Sequence, residues 1–253
     1  MNTQTAYITG ASAGFGAAIA RKLAQQGYRL VITGRRKERL DALADELRAK
    51  GTEVLVRVYD VRHRSEVDAD FATLPAEWQV FNVLVNNAGL ASGRDPIESG
   101  DPNDWDLMLD TNVKGLLYVT RAALPMLKAA AHADIVNIGS IAGKEVYPGG
   151  NVYCASKFAV DALTKALRVE LLETGIRVTQ IAPGAAETEF SLVRYKGDAG
   201  KAAAVYDGFE PLLADDIADA LFFAVSRKPH VCINDMVIVP TAQANSFSIH
   251  RKP

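Results

Sequence analysis

With 253 residues, 49% of them hydrophobic, the chain has enough apolar material for a sizeable core, and nothing in it reads as a linker, repeat or low-complexity run. A formal net charge of -2 without any basic block excludes nucleic acid as the main partner. No apolar stretch is long enough to span a membrane, and strand and glycine turn begin too close to Met1 to leave room for a signal peptide, which predicts a cytoplasmic protein.

The first predicted element is a strand at 5–9, running into Gly10-Ala11-Ser12-Ala13-Gly14-Phe15-Gly16 and a helix from near Ala17. Such a turn lets backbone N–H groups and a positive helix N-terminus approach a diphosphate. Its spacing, Gly-x-x-x-Gly-x-Gly, differs from the Gly-x-Gly-x-x-Gly fingerprint, and glycines also end strands for conformational reasons alone. A second strand, 29–33, ends at Gly34-Arg35-Arg36, ahead of a helical pattern from Lys37 to Arg48. At this place an NAD site offers a carboxylate to the ribose 2′-hydroxyl, whereas an NADP site offers an arginine to the 2′-phosphate. No acid is present, and a guanidinium grips phosphate with paired, charge-assisted hydrogen bonds. Basic side chains at a helix start oppose its macrodipole, which a bound phosphate would explain. Arg35 and Arg36 therefore point to NADP(H).

A third strand at 53–59 precedes Asp60-Val61, and a fourth at 81–86 runs into Asn86-Asn87-Ala88-Gly89. A long helix is expected near 103–130, carrying Asn112, and a fifth strand at 134–139 ends at Ser140. A second long helix is expected near 151–174, then a strand at 177–182 closing on Pro183-Gly184, a helix from near Ala214 and a last strand at 234–239. Apolar runs such as Val83-Leu84-Val85 suit strands buried on both faces of a parallel sheet. Their alternation with helices predicts a doubly wound α/β fold of about seven parallel strands in one domain, 1–253, with right-handed crossovers. Ligands bind such sheets at the carboxyl ends of the strands, where all these motifs fall.

Tyr153 and Lys157 stand at i and i+4 on the second long helix, so both point into one space. A free tyrosine, with a pKa of about 10, is a poor base near neutrality. A neighbouring ammonium favours the phenolate and pulls that value toward working pH, making Tyr153 a general acid/base. Taken alone, Tyr-x-x-x-Lys is also a common accident of helix surfaces. Cys154 points about 100° away with no histidine near, and is read as packing. His63, His132, His230 and His250 are scattered, and with Cys154 and Cys232 as the only cysteines no metal is implied.

Together these segments resemble the short-chain dehydrogenase/reductase family. The likeness runs over the whole chain through five motifs in the family's order: Thr9 to Gly16, Asn86 to Gly89, Asn112, Ser140 with Tyr153 and Lys157, and Pro183-Gly184. It implies a catalytic tetrad of Asn112, Ser140, Tyr153 and Lys157. It implies a cofactor site of Gly10, Ser12, Gly14, Phe15, Gly16, Arg35, Arg36, Asp60, Val61, Asn87, Ala88, Gly89, Pro183, Gly184 and Thr188, together with Tyr153 and Lys157. Arg35 is the stronger phosphate ligand by this likeness, and Asp60-Val61 lies beside the adenine, although Asp60 would also serve as a helix cap. Asn112 is expected to hold a water that relays the proton toward solvent, a role compatible with its also satisfying buried backbone groups in the helix.

The stretch Thr188 to Asp198, with Lys201 after it, falls where this family places a mobile substrate lid, here about 186–213. Of its cations Arg194, Lys196 and Lys201, the planar fork of Arg194 best suits an anionic head group. This lid, Tyr147 to Tyr153, Gly34-Arg35-Arg36 and the segment near His250 resemble one subgroup, the NADP-dependent dehydrogenases of serine, allo-threonine and other 3-hydroxy acids, with sulfoacetaldehyde reductases as relatives. The likeness implies a small anionic substrate met by Ser140, Tyr147, Tyr153 and Arg194, bearing either a carboxylate or a sulfonate. A reductase of a neutral carbonyl and a non-catalytic dinucleotide sensor are the rival classes. The family also implies pairing through the two long helices into a homodimer or homotetramer, with Ala122, Ala123, Ala155 and Ala159 permitting close approach. By the subgroup's pattern the tail, 241–253, reaches a neighbouring subunit through Phe247 or Arg251.

Overall fold

A computed structural model of the protein describes residues 4–252, so Met1 to Thr3 and the last residue of the tail, Pro253, lie outside the described residues. Seven strands form one sheet: β1 (Thr5–Ile8), β2 (Arg29–Gly34), β3 (Val54–Val58), β4 (Val83–Asn86), β5 (Asp134–Ile138), β6 (Arg177–Pro183) and β7 (Asp235–Ile238). All pairings are parallel, in the order β3-β2-β1-β4-β5-β6-β7. The chain winds outward from β1 to β3, then returns to place β4 on the other side of β1. The order thus reverses between β1 and β4, and a crevice opens beyond their carboxyl ends.

Strand periodicity divides the core. Ala6 and Ile8 of β1 point to one face with Leu30, Ile32, Val83 and Val85. There they pack on α1 (Gly14–Gln25), α2 (Lys37–Arg48) and α9 (Ala214–Val225). Tyr7, Val31, Leu84 and Ile135 point to the other face. They pack on α3 (Arg64–Ala72), α5 (Leu116–Ala129) and α6 (Asn151–Glu170). A fully buried aliphatic side chain contributes about 1.5–3 kcal/mol, so a one-residue slip of any central strand would forfeit several such terms at once. One polar feature also fixes the register. The Tyr7 hydroxyl donates to Asp70 at 2.7 Å and lies 2.9 Å from that of Tyr59, and Asp70 in turn holds Arg57.

The predicted strands match the observed ones to within two residues, whereas three helical expectations need correction. Helix α1 begins at Gly14 rather than near Ala17, because Ala13 is already the extended residue that starts it. The helix expected over 103–130 is divided into α4 (Pro102–Leu109), a π-helical turn (Asp110–Gly115) and α5. A side chain at Gly115 would meet Val61 at 2.8 Å, so the wider turn sits where the helix presses on the β3–α3 connection. The helix expected over 151–174 ends at Glu170, and a single 3-10 turn, Leu172–Thr174, follows it. Two short helices, α7 (Phe190–Arg194) and α8 (Ala199–Ala204), lie between β6 and α9.

Candidate active site

The carboxyl ends of the strands, α7 and α8 enclose a cleft of about 780 Å³. Its floor at one end is the turn after β1. Thr9 Oγ1 accepts hydrogen bonds from the N–H groups of Asn87 and Ala88, and Asn87 Nδ2 donates to the carbonyls of Thr9 and Gly10, so the ends of β1 and β4 are stitched together. A side chain at Gly16 would meet Asn87 Nδ2 at 2.6 Å and Ala11 Cα at 2.9 Å. The N-terminus of α1 has no side-chain cap and no acidic residue in its first turn. In contrast, α4 and α8 are capped by Asp101 and Asp198. A helix start left bare beside a glycine turn in a cleft fits a diphosphate group.

Arg35 and Arg36 differ in how they are held. Arg36 donates to Ser12 Oγ at 3.0 and 3.1 Å and to Glu189 at 2.9 Å, which fixes its guanidinium. Arg35 is more exposed and stands 3.7 Å from Asp60, with its remaining donors open to the cleft. Asp60 does not cap α3, whose N-cap position is His63; it accepts instead from the backbone and side chain of Arg62. Tyr59, Val61 and Ala88 line the same end of the cleft. These residues together fit the adenosine half of a dinucleotide bearing a 2′-phosphate.

At the other end stand Ser140, Tyr153 and Lys157. Ser140 begins the 3-10 turn Ile141–Gly143 and accepts from the Ala142 N–H at 3.1 Å. Tyr153 and Lys157 share the buried face of α6. Lys157 Nζ donates to the Ile138 carbonyl at 2.9 Å, and burial lowers its pKa from the ordinary lysine value of about 10.5 to about 8. Burial also raises the Tyr153 pKa well above that of a free phenol; neighbouring Tyr147 adds to the rise, and Arg194 and Ser140 oppose it. Two cations face the phenol: the Lys157 ammonium lies 5.9 Å and the Arg194 guanidinium carbon 5.0 Å from the Tyr153 ring centre, and Arg194 is the one that opposes the rise most.

Asn112 lies in the π-helical turn, 2% exposed. Its amide oxygen accepts from the Leu90 N–H at 2.8 Å, and its amide nitrogen donates to the Leu90 carbonyl at 2.8 Å and to Ser156 at 3.0 Å. The side chain therefore anchors the strand extension after Gly89 to α6. Cys154 is buried beside Tyr153 in a small apolar cluster with Leu90, Met108 and Ala142, as a packing residue would be.

Three aromatic rings surround Arg194, at 5.4 Å for Tyr147, 5.0 Å for Tyr153 and 5.7 Å for Phe190, and it also donates to the Tyr147 hydroxyl. Its buried Nε has no hydrogen-bond partner among the described residues. No carboxylate of the described residues pairs with this guanidinium, while Lys196 is bound to Asp104 at 2.8 Å and Lys201 to Asp198 at 3.3 Å. The three cations of the segment are thereby separated: Lys196 and Lys201 are held by carboxylates, Lys201 while lining the cleft, and Arg194 faces the cleft with no carboxylate partner among the described residues. Pro183 and Gly184 end β6, where Gly184 leaves the space that the Gln243 amide fills. Thr188 lies 3.5 Å from where a Gly14 side chain would be.

Sequence reasoning gave no role to Arg94, Glu189, Phe190, Tyr206 or Gln243, all of which line the cleft. Phe190 and Glu189 adjoin Thr188 and lay within reach of that reading. Gln243, whose side chain accepts from the Ala185 N–H at 2.8 Å, carries no local signal. The tail runs back over its own chain: Arg251 donates to the carbonyls of Val205 and Asp207 and lies over Phe209, while Phe247 remains exposed.

Residues 4–197 match the family model described as short chain dehydrogenase. The NADP-dependent 3-hydroxy acid dehydrogenase YdfG of Escherichia coli (strain K12) is 44% identical over 247 residues, covering 97% of this chain and 98% of that protein. A sulfoacetaldehyde reductase of Chromohalobacter salexigens is 47% identical over 249 residues, covering 98% of each. Among solved structures, the closed form of serine dehydrogenase complexed with NADP+ superposes with a TM-score of 0.92 at 44% identity, covering 98% of this chain and 100% of that one. A family match over residues 4–197, together with identity and coverage of this extent, places the chain in the short chain dehydrogenase family.

Proposed function

We propose that this protein is an NADP(H)-dependent oxidoreductase of small anionic hydroxy compounds, with 3-hydroxy acids such as serine, allo-threonine or 3-hydroxypropionate as its substrates. The observation that carries the reading is Arg194, a guanidinium held against the Tyr153 ring and left without a carboxylate partner. A charge so placed is costly unless an anion completes it, and a planar fork suits a carboxylate. Relatives named for 3-hydroxy acids and for NADP support the same reading from outside the chain.

The nicotinamide supplies the hydride acceptor or donor. Gly10, Gly14 and the start of α1 receive the diphosphate, Ser12, Arg35 and Arg36 the 2′-phosphate, and Asp60, Val61 and Asn87 to Gly89 the adenosine. Pro183, Gly184, Thr188 and Lys157 hold the nicotinamide end, and Phe15 and Gly16 keep the first turn of α1 close. Tyr153, protonated at neutral pH because it is buried, exchanges a proton with the substrate oxygen. Ser140 donates to that oxygen and aligns it where charge develops. Tyr147 and Arg194 bind the head group, and residues 186–213 form the lid that excludes water. The chain acts as a single catalytic domain, 1–253, in the cytoplasm.

Initial rates of NADP⁺ reduction with L-serine, L-allo-threonine, 3-hydroxypropionate and isethionate, compared in the unaltered protein and in Arg194→Gln, test this. The hydroxy acids should react, and the variant should raise their KM by about 10- to 100-fold, as expected for a lost charge-assisted pair. Rates with isethionate alone would make the protein a sulfoacetaldehyde reductase, the reading that the 47% identical relative favours. An unchanged KM in Arg194→Gln would favour a neutral substrate.

No helix among the described residues is long and apolar enough to cross a membrane. Leu117 of α5 and Phe158 of α6 are exposed, at 39% and 42%, beside the small Ala155. Those two helices therefore form the face through which the chain assembles with its own copies, as a homodimer or homotetramer. Light scattering of the unaltered protein and of Phe158→Glu tests that face.

A further inference from the structure

We propose that Glu189 and Arg39 latch the lid shut across the dinucleotide cleft, with Arg36 shared between the lid and the 2′-phosphate. Glu189 immediately precedes α7, directly after Thr188, which passes over Gly14. Its carboxylate reaches the opposite bank of the cleft: one oxygen accepts from Arg36 at 2.9 Å, the other from Arg39. These pairs join positions 153 and 150 residues apart, so they exist only when the lid is down.

Arg36 begins α2 and Arg39 lies one turn on, which puts both on the same side of that helix. Each oxygen of Glu189 takes a different guanidinium. Two positive charges then face one negative charge, and the surplus stays available to a phosphate while the lid is closed. The remaining donors of Arg36 rest on Ser12 of the glycine turn, so one guanidinium touches the lid on one edge and the phosphate-binding turn on the other. Holding Arg36 by a carboxylate also presets its fork before a ligand arrives.

The far end of the lid is tied separately. The Gly93 N–H donates to the Arg194 carbonyl at 3.0 Å, and Lys196 holds Asp104. Glu189 is the tie above the cofactor, so the dinucleotide leaves when that tie opens. The latch rests on reading the cleft as an NADP(H) site, but not on which hydroxy compound is oxidised.

Two readouts on the full-length protein test it, with the single variants Glu189→Gln and Arg39→Ala and their double. The first is the NADPH dissociation rate from the binary complex, followed by fluorescence after displacement with excess NADP⁺. Both single variants should release NADPH about two- to five-fold faster, the range for a partly exposed ion pair, and the double no faster than either. The second is hydrogen exchange of the 188–197 amides without cofactor, which should speed up in the variants and not in the strands. Unchanged release together with unchanged exchange would overturn the latch. Slower release in Glu189→Gln would overturn it too, since Glu189 would then be competing with the phosphate. Failure of the unaltered protein to bind NADPH would remove the cofactor reading and leave the exchange experiment as the test of the latch itself.

Discussion

At the dinucleotide end of the cleft, Gly10 and Asn87 to Gly89 hang from the ends of β1 and β4, where ladder hydrogen bonds fix the backbone on both sides. At the substrate end, Phe190 and Arg194 belong to a five-residue helix held by an ion pair, a few hydrogen bonds and stacked rings. The first region can be shaped only by the whole sheet and tolerates almost no change. The second is assembled from side chains of a short segment outside the sheet, the lid of the proposed function, whose few ties leave more room for change. Tyr153 stands where the two meet, on the long helix α6 and against the Arg194 guanidinium.

The largest expected effect lies at that junction. Tyr153→Phe removes the hydroxyl proposed to exchange the substrate proton while keeping the ring that packs on Phe190 at 5.5 Å. Turnover should fall by about 10²–10⁴-fold. The NADPH dissociation constant, measured by fluorescence titration, should stay within about two-fold, because a phenyl ring fills nearly the same space. A Phe variant that retains turnover would move the acid/base role elsewhere and dissolve the junction.

Lys157 gives the next effect, on stability against pH. Its pKa in the folded protein, about 8, lies below the ordinary lysine value of about 10.5 because burial disfavours the cation. Between those values the unfolded chain binds more protons than the folded one, so this group makes stability rise as pH rises from about 8 to about 10.5. Below pH 8 both states are protonated and its contribution is a constant penalty of about 3 kcal/mol. Lys157→Met should therefore be inactive yet more stable than the unaltered protein at pH 7. The gain should shrink toward pH 10, as followed by urea denaturation across the range. A gain independent of pH would mean that the lysine is not desolvated as its place under the cleft requires.

Gly16→Ala tests the rigid region by itself. The added methyl would press on Asn87 Nδ2 and the Ala11 backbone, neither of which can move without breaking the stitch between β1 and β4. A loss of about 3 kcal/mol is expected, at the upper end for overpacking, visible as a melting point lowered by about 10 °C. The same region was the more legible in sequence. Its strands are apolar runs buried on both faces, its glycines mark the turns, and each motif directly follows a strand. The substrate side was less so. Arg194 stood out by residue type, but what separates it from Lys196 and Lys201 is the position of Asp104 and Asp198, and what occupies Arg36 is a glutamate 153 residues away. The π-helical turn that interrupts the helix over 103–130 was equally hidden, because its cause is the contact between Gly115 and Val61. Local pattern encodes which residues face a core; it does not encode which surface charges will meet.

Lys196→Ala should give the smallest effect, and it separates the two uses of cations on the lid. Lys196 adopts a left-handed backbone, φ 52°, to bring its ammonium to Asp104, which also accepts from Ser92 at 2.7 Å. That pair is half exposed on the lysine side, and an exposed pair is worth at most about 1 kcal/mol. Losing it should raise the KM for a hydroxy acid by less than about five-fold, with more of the change at low salt than at high salt. The lid would open more often, but the head-group site would remain intact whenever it closed. Arg194→Gln acts on the site itself, so its KM change should persist in high salt, where a surface pair is already screened. Equal salt dependence in the two variants would mean that Arg194 also works only as a fastener, and that the substrate need not be an anion.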